Sequence, residues 1–115
     1  MNPELMNLVD RAGKNVAELM VTAEENGWYF GQVRSQQFPT EVREALAWYD
    51  EVVEHQLLSY LDSALARVER FELAVQDPNG AVRKVYSLQI NHDNEVSFRI
   101  TPVPAPSWLA KSESA

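Results

Sequence analysis

The chain has 115 residues, 45% of them apolar, with three Trp, four Tyr and four Phe, which is room for one domain and material for a real core. A charged fraction of 23% argues against a disordered polyelectrolyte, and the lack of cysteine excludes disulfide staples, thiolate metal sites and cysteine nucleophiles. A net charge of −7, with the ten Lys and Arg scattered, opposes direct binding to nucleic-acid phosphate and favours a basic protein partner.

Met1-Asn2-Pro3-Glu4 has neither the basic region nor the apolar stretch of a secretory signal, and no apolar run approaches the roughly 18 residues that span a bilayer. The expected location is cytoplasmic, with no membrane contact. Leu5, Leu8, Val9, Ala12, Val16, Leu19, Met20 and Ala23 recur at helical spacing. Opened by Asn2-Pro3 and closed by Asn26-Gly27, that pattern predicts a first helix over Glu4 to Asn26, with Gly13 inside it marking a close approach. Trp28 to Arg34 is short and aromatic-rich, and reads as an edge strand or an ordered loop.

Thr40 to Asp77 contains neither Gly nor Pro. Pro39 sets a helix start, Thr40 can cap it, and Glu41 and Glu44 suit the positive end of the helix dipole. At a helical rotation of about 100° per residue, Val42, Leu46, Tyr49, Val53, Leu57, Tyr60, Ala64, Val68 and Phe71 fall on one side. This predicts one long amphipathic helix from Thr40 to Arg70, spanning roughly 45 Å. The period then changes to two. Phe71, Leu73 and Val75 precede the turn Asp77-Pro78-Asn79-Gly80; Tyr86, Leu88 and Ile90 precede the turn Asn91 to Asn94; Val96, Phe98 and Ile100 follow. Pairing Ile90 with Val96, Leu88 with Phe98 and Tyr86 with Ile100 gives a three-stranded antiparallel meander with one apolar face. Residues 1–101 are thus expected to form one domain, and residues 102–115 a Pro-rich, partly mobile tail carrying Trp108.

Opposite the apolar stripe of the long helix stand Glu44, Trp48, Glu51, His55, Asp62 and Glu69. Glu44, Asp50, Glu51, Glu54 and Asp62 have no Lys or Arg among them, which describes either a solvated face or an electrostatic docking strip. Trp48 favours docking, because a large aromatic on a charged face has the composition of a binding anchor, unless a neighbouring element covers it. Glu51 and His55 are four apart, yet two ligands from one helix need others from elsewhere, and Val52 stands where a Glu-x-x-His motif needs its acid. No metal site and no cofactor are expected.

Trp28, Tyr29 and Phe30 read mainly as core. If Gly31 admits a backbone or a ligand, Trp28, Phe30 and Tyr49 could instead line a pocket, with Arg99 or His55 as its polar handle. There is no Gly-x-Ser-x-Gly elbow, no Ser-x-x-Lys and no phosphate-cradling loop, and His92-Asp93 sits in a turn that selects such residues for backbone reasons. Trp108, in the tail, either folds back over a core edge or is presented to a partner in a linear motif. The expected fold class is α+β: N-terminal helix, short strand or loop, and a long amphipathic helix packed on a three-stranded meander. The expected function is a non-catalytic module of adaptor, chaperone, toxin-neutralising or inhibitor type. It docks a basic protein through the acidic helix face at Glu44, Trp48, Glu51, His55 and Asp62, with Trp108. A small-molecule or enzymatic pocket is the alternative, and a homodimer is expected more than a monomer.

Overall fold

A computed structural model describes residues 2–101; the expected tail and Trp108 lie outside the described residues. In chain order the elements are β1 (Glu4–Val9), β2 (Asn15–Glu25), β3 (Trp28–Gln36), α1 (Thr40–Glu54), a 3-10 turn (Leu58–Tyr60), α2 (Leu61–Glu69), β4 (Ala74–Gln76), β5 (Val82–Lys84), β6 (Tyr86–Ile90) and β7 (Glu95–Arg99). The strands form one seven-stranded antiparallel sheet in the order β5-β4-β1-β2-β3-β7-β6, curled into a half-barrel. This overturns the expected architecture in three places: the first helix is a hairpin, the long helix is two short ones, and the meander is split.

The first correction is a matter of period. Met6 and Leu8 on β1, and Leu19 and Val21 on β2, are buried, while Leu5 is exposed and Asn7, Glu18 and Met20 are only partly covered. That is alternation, although the same apolar residues also satisfy a helical spacing, and short apolar runs do not decide between the two. The punctuation decides. Asn26 and Gly27 have φ of 54° and 85°, the left-handed pair of a two-residue hairpin loop, and they join Glu25 to Trp28 in register. Trp28 to Arg34, expected as an edge strand or an ordered loop, belongs to β3, an interior strand that pairs with β2 on one side and β7 on the other.

Three other hairpin loops share one construction. In each, an Asx side chain begins the turn, its Oδ1 accepting the N–H groups two and four residues on: Asp10 from Ala12 and Lys14, Asp77 from Asn79 and Ala81, Asn91 from Asp93 and Glu95. The backbone carbonyl of each accepts from the residue three on, Gly13, Gly80 and Asn94, all of which have positive φ. Local turn chemistry therefore predicts the Asp77 and Asn91 loops correctly.

The expected turn at Asp77 forms, but it closes β4 on β5, a short strand over Val82–Lys84, rather than on the Tyr86–Ile90 strand. The expected hairpin of β6 with β7 does form, and the two hairpins lie at opposite edges of the sheet with β1, β2 and β3 between them. Ile90 pairs with Val96 as expected. Ser87, at φ 54°, then shifts the register, so that Tyr86 faces Arg99 rather than Ile100. Only Val85 separates β5 from β6, and its N–H donates to the Leu73 carbonyl at 3.0 Å. Two edge strands joined by one residue must lie side by side at that point, which requires the sheet to curl. Val42, Ala45, Leu46, Tyr49 and Val52 of α1 and Ala64 and Val68 of α2 enter the same core as Leu8, Leu19, Leu88 and Phe98. The helices thus bury the apolar lining that the curled strands present.

The long apolar stripe is interrupted at Gln56, where φ is 54°. Gln56 N–H donates to the Val53 carbonyl and Leu57 N–H to the Val52 carbonyl, which closes α1 in a Schellman-type arrangement with Gln where Gly is usual. A side chain in the left-handed region costs roughly 1–2 kcal/mol. Gln56→Gly is therefore expected to stabilise the protein by about 0.5 kcal/mol after the greater chain entropy of Gly is deducted, read as a higher urea midpoint. A lower midpoint would show that the Gln56 side chain makes a stabilising contact.

Candidate functional site

Because the chain turns at Gln56, the expected acidic face does not exist as one surface. Two of its members are used between the helices. Arg67 of α2 places its guanidinium 5.9 Å from the centre of the Trp48 ring and its Nη2 3.9 Å from Glu44 Oε2. Trp48 is half-buried and packs against the core, so it fastens α2 to α1; what covers it is α2 rather than an N-terminal helix. Glu51, His55 and Asp62 remain exposed, at the end of α1 and the start of α2.

Between them the chain shows a group that sequence reasoning did not select. Leu57, Leu58 and Tyr60 are 40%, 73% and 55% exposed. Leu5, Phe30 and Val82 are also exposed, but each lies on a different strand, and isolated apolar residues on a surface are ordinary. Three within four residues form a patch. Glu51, Glu54 and Asp62 flank it in the chain, and no Lys or Arg occurs between Arg43 and Arg67. A continuous helix would have buried Leu57 and Tyr60 in its stripe. The available signal was Leu58, which lies off that stripe.

The four residues expected to line a pocket are not gathered into one. Tyr49 is buried between α1 and the sheet, and this burial, with the Glu69 carboxylate nearby, raises its hydroxyl pKa above the ordinary 10.0. Arg99 stacks 5.3 Å from the Trp28 ring centre across the β3–β7 ladder, and its buried Nε has no hydrogen-bond partner among the described residues. Phe30 borders a hollow of about 230 Å³ with Gly31, Gln89 and Ser97.

A cleft of about 230 Å³ opens instead between α1 and the β6–β7 turn, with Phe38, Arg43, Leu46, Asp50, Ile90 and His92 in its lining. A second, of about 210 Å³, lies over Met6, Tyr29, Val75, Arg83 and Phe98. Trp28, Tyr49 and Arg99 are not together in either. Asp50 is the notable group in the first cleft: it is 9% exposed, and its Oδ1 accepts from Gln89 Nε2 at 3.0 Å. Its neighbours one helical turn on and across the cleft are Glu54 and His92.

No protein-family model, curated protein or solved structure matches the chain. None of the helices among the described residues is long and apolar enough to cross a membrane.

Proposed function

We propose that the protein is a non-catalytic docking module for a basic protein partner, and that the α1–α2 corner is its contact surface. The observation that carries this reading is the patch of Leu57, Leu58 and Tyr60, exposed amid acidic residues. Apolar area held in water is costly unless something covers it, and an aromatic with two leucines supplies the anchor that a contact needs. Glu51, Glu54 and Asp62 add a field that attracts and orients a basic surface. His55 stands beside the patch. Glu44 and Trp48 support it indirectly by fixing the angle between the helices. The enzymatic alternative has a cleft, but not the Trp28, Tyr49 and Arg99 lining expected of it.

The test compares capture of basic proteins by the wild-type chain and by three variants. Leu58→Asp and Tyr60→Asp are each expected to weaken a captured partner by about 30-fold or more, the size of an anchor loss. Glu51→Lys with Asp62→Lys should mainly slow association and remove its salt dependence. Capture that is indifferent to all three variants would refute the reading. A homodimer competes for the same patch, although symmetric pairing would bring like-charged carboxylates together. Light scattering that reports a dimer in wild type and 13.1 kDa in Leu58→Asp would assign the patch to self-association instead.

A further inference from the structure

Three ligand-bearing side chains from two elements meet beside the cleft between α1 and the β6–β7 turn. The donor atoms of Asp50, Glu54 and His92 all lie within 4.8 Å of one another. Asp50 and Glu54 are four apart on α1 and so share a face. His92 is brought to them by the turn that Asn91 organises, accepting Asp93 and Glu95 N–H groups at 2.9 Å.

Two independent features distinguish this group from an ordinary acidic cluster. Asp50 is nine-tenths buried; among the described residues its side chain has one hydrogen-bond partner, the neutral amide of Gln89, and no cation comes within ion-pair distance of it. Arg43 lines the same cleft but donates to the Phe38 carbonyl at 3.2 Å. A buried carboxylate without a compensating charge is unfavourable, and a bound cation removes the penalty. The second feature is the imidazole. Its Nδ1 is 3.8 Å from Glu54 Oε2, while Asp93 Oδ2 lies 3.5 Å from the opposite nitrogen, Nε2. A metal-bound histidine has one nitrogen on the ion and the other hydrogen-bonded to a carboxylate, an arrangement that Asp93 reaches by moving in about 0.5 Å.

We propose that Asp50, Glu54 and His92 bind one divalent transition-metal ion of the Zn²⁺ type, with His92 ligating through Nδ1 and Asp93 orienting its ring. One nitrogen with two carboxylate oxygens suits zinc, whereas calcium and magnesium prefer oxygen alone. Tetrahedral ligands at zinc distances are roughly 3.3 Å apart, so donors within 4.8 Å of one another must draw together by up to about 1.5 Å. Glu54 and His92 have side chains 51% and 69% exposed and can make that movement by rotation, while Asp50 stays fixed. Three protein ligands leave a fourth position open to water or to a partner's side chain. The ion would bridge α1 and the β6–β7 turn. It differs from the Glu51–His55 pair, which lies on one helix alone.

The experiment titrates the full chain with Zn²⁺ alone, by calorimetry and by thermal melting. Wild type is expected to take one ion per chain and to gain about 5 °C in Tm at about 200 µM Zn²⁺. His92→Ala, an exposed turn position whose fold is checked by circular dichroism, should lose at least about tenfold in affinity, as should Asp50→Asn. His55→Ala, which removes the other histidine, should bind as wild type does. Neither heat nor a melting shift in wild type would overturn the proposal, as would His92→Ala binding with undiminished affinity or His55→Ala losing the ion.

Discussion

Gly31→Ala is expected to destabilise the protein by about 3 kcal/mol or more, a fall in Tm of at least about 12 °C for a domain of this size. A Cβ at Gly31 would sit 2.1 Å from the Met20 carbonyl oxygen and 2.8 Å from both the Met20 carbonyl carbon and the Val21 Cα. These are backbone atoms of a neighbouring strand. They cannot rotate aside as a side chain can, so relief requires β2 and β3 to part. Gly31 also pairs with Val96 on its other side, so the displacement would pass into the β3–β7 ladder. Gly13→Ala and Gly80→Ala provide the comparison, since nothing lies within 4 Å of a Cβ at either position and the only cost is φ of 84° and 87°. That cost is about 1–2 kcal/mol. Urea unfolding of the three variants checks the order. A Gly31→Ala loss no larger than that of Gly13→Ala would mean that β2 and β3 are not so closely apposed.

Gly31 also shows how far the sequence could be read. A glycine inside an aromatic strand marks a point where a backbone or a ligand comes close, but the sequence does not choose between the two, nor name the strand that approaches. The same division holds elsewhere. The Asp77 and Asn91 turns, and the pairing of Ile90 with Val96 across the second, follow from residues close in sequence. The pairing of β4 with β1 does not: alternation at Leu73 and Val75 says that one face is buried, but names no neighbour. At Gln56 a non-Gly residue takes the left-handed cap, so the break in the helix leaves no mark in composition. Asn26-Gly27 was the missed local signal, for it fits a hairpin loop better than a helix stop once strands are considered on both sides. Of the metal donors, the Asp50–Glu54 spacing is visible in the sequence. The arrival of His92 depends on β6 lying against α1, a contact between distant segments.

Phe98→Ala is expected to cost about 4 kcal/mol, within the usual range for removing a buried aromatic ring. Phe98 is fully buried and stacks on Tyr29 with ring centres 5.4 Å apart and planes 10° from parallel. The two residues are partners in the β3–β7 register, so the stack fixes neighbouring strands as well as filling space. The cleft over Met6, Tyr29 and Val75 already adjoins the ring, and truncation would enlarge that open space rather than leave a void able to collapse. A Tyr29→Ala/Phe98→Ala double-mutant cycle should show a coupling of about 1 kcal/mol attributable to the stacked pair. Leu58→Asp, by contrast, should leave stability within about 0.5 kcal/mol, because Leu58 is 73% exposed. The contrast separates the residues that hold the half-barrel from those assigned to docking. If the melt responded to Leu58→Asp as strongly as to Phe98→Ala, Leu58 would be packed in solution, and the exposed corner would no longer support a docking surface.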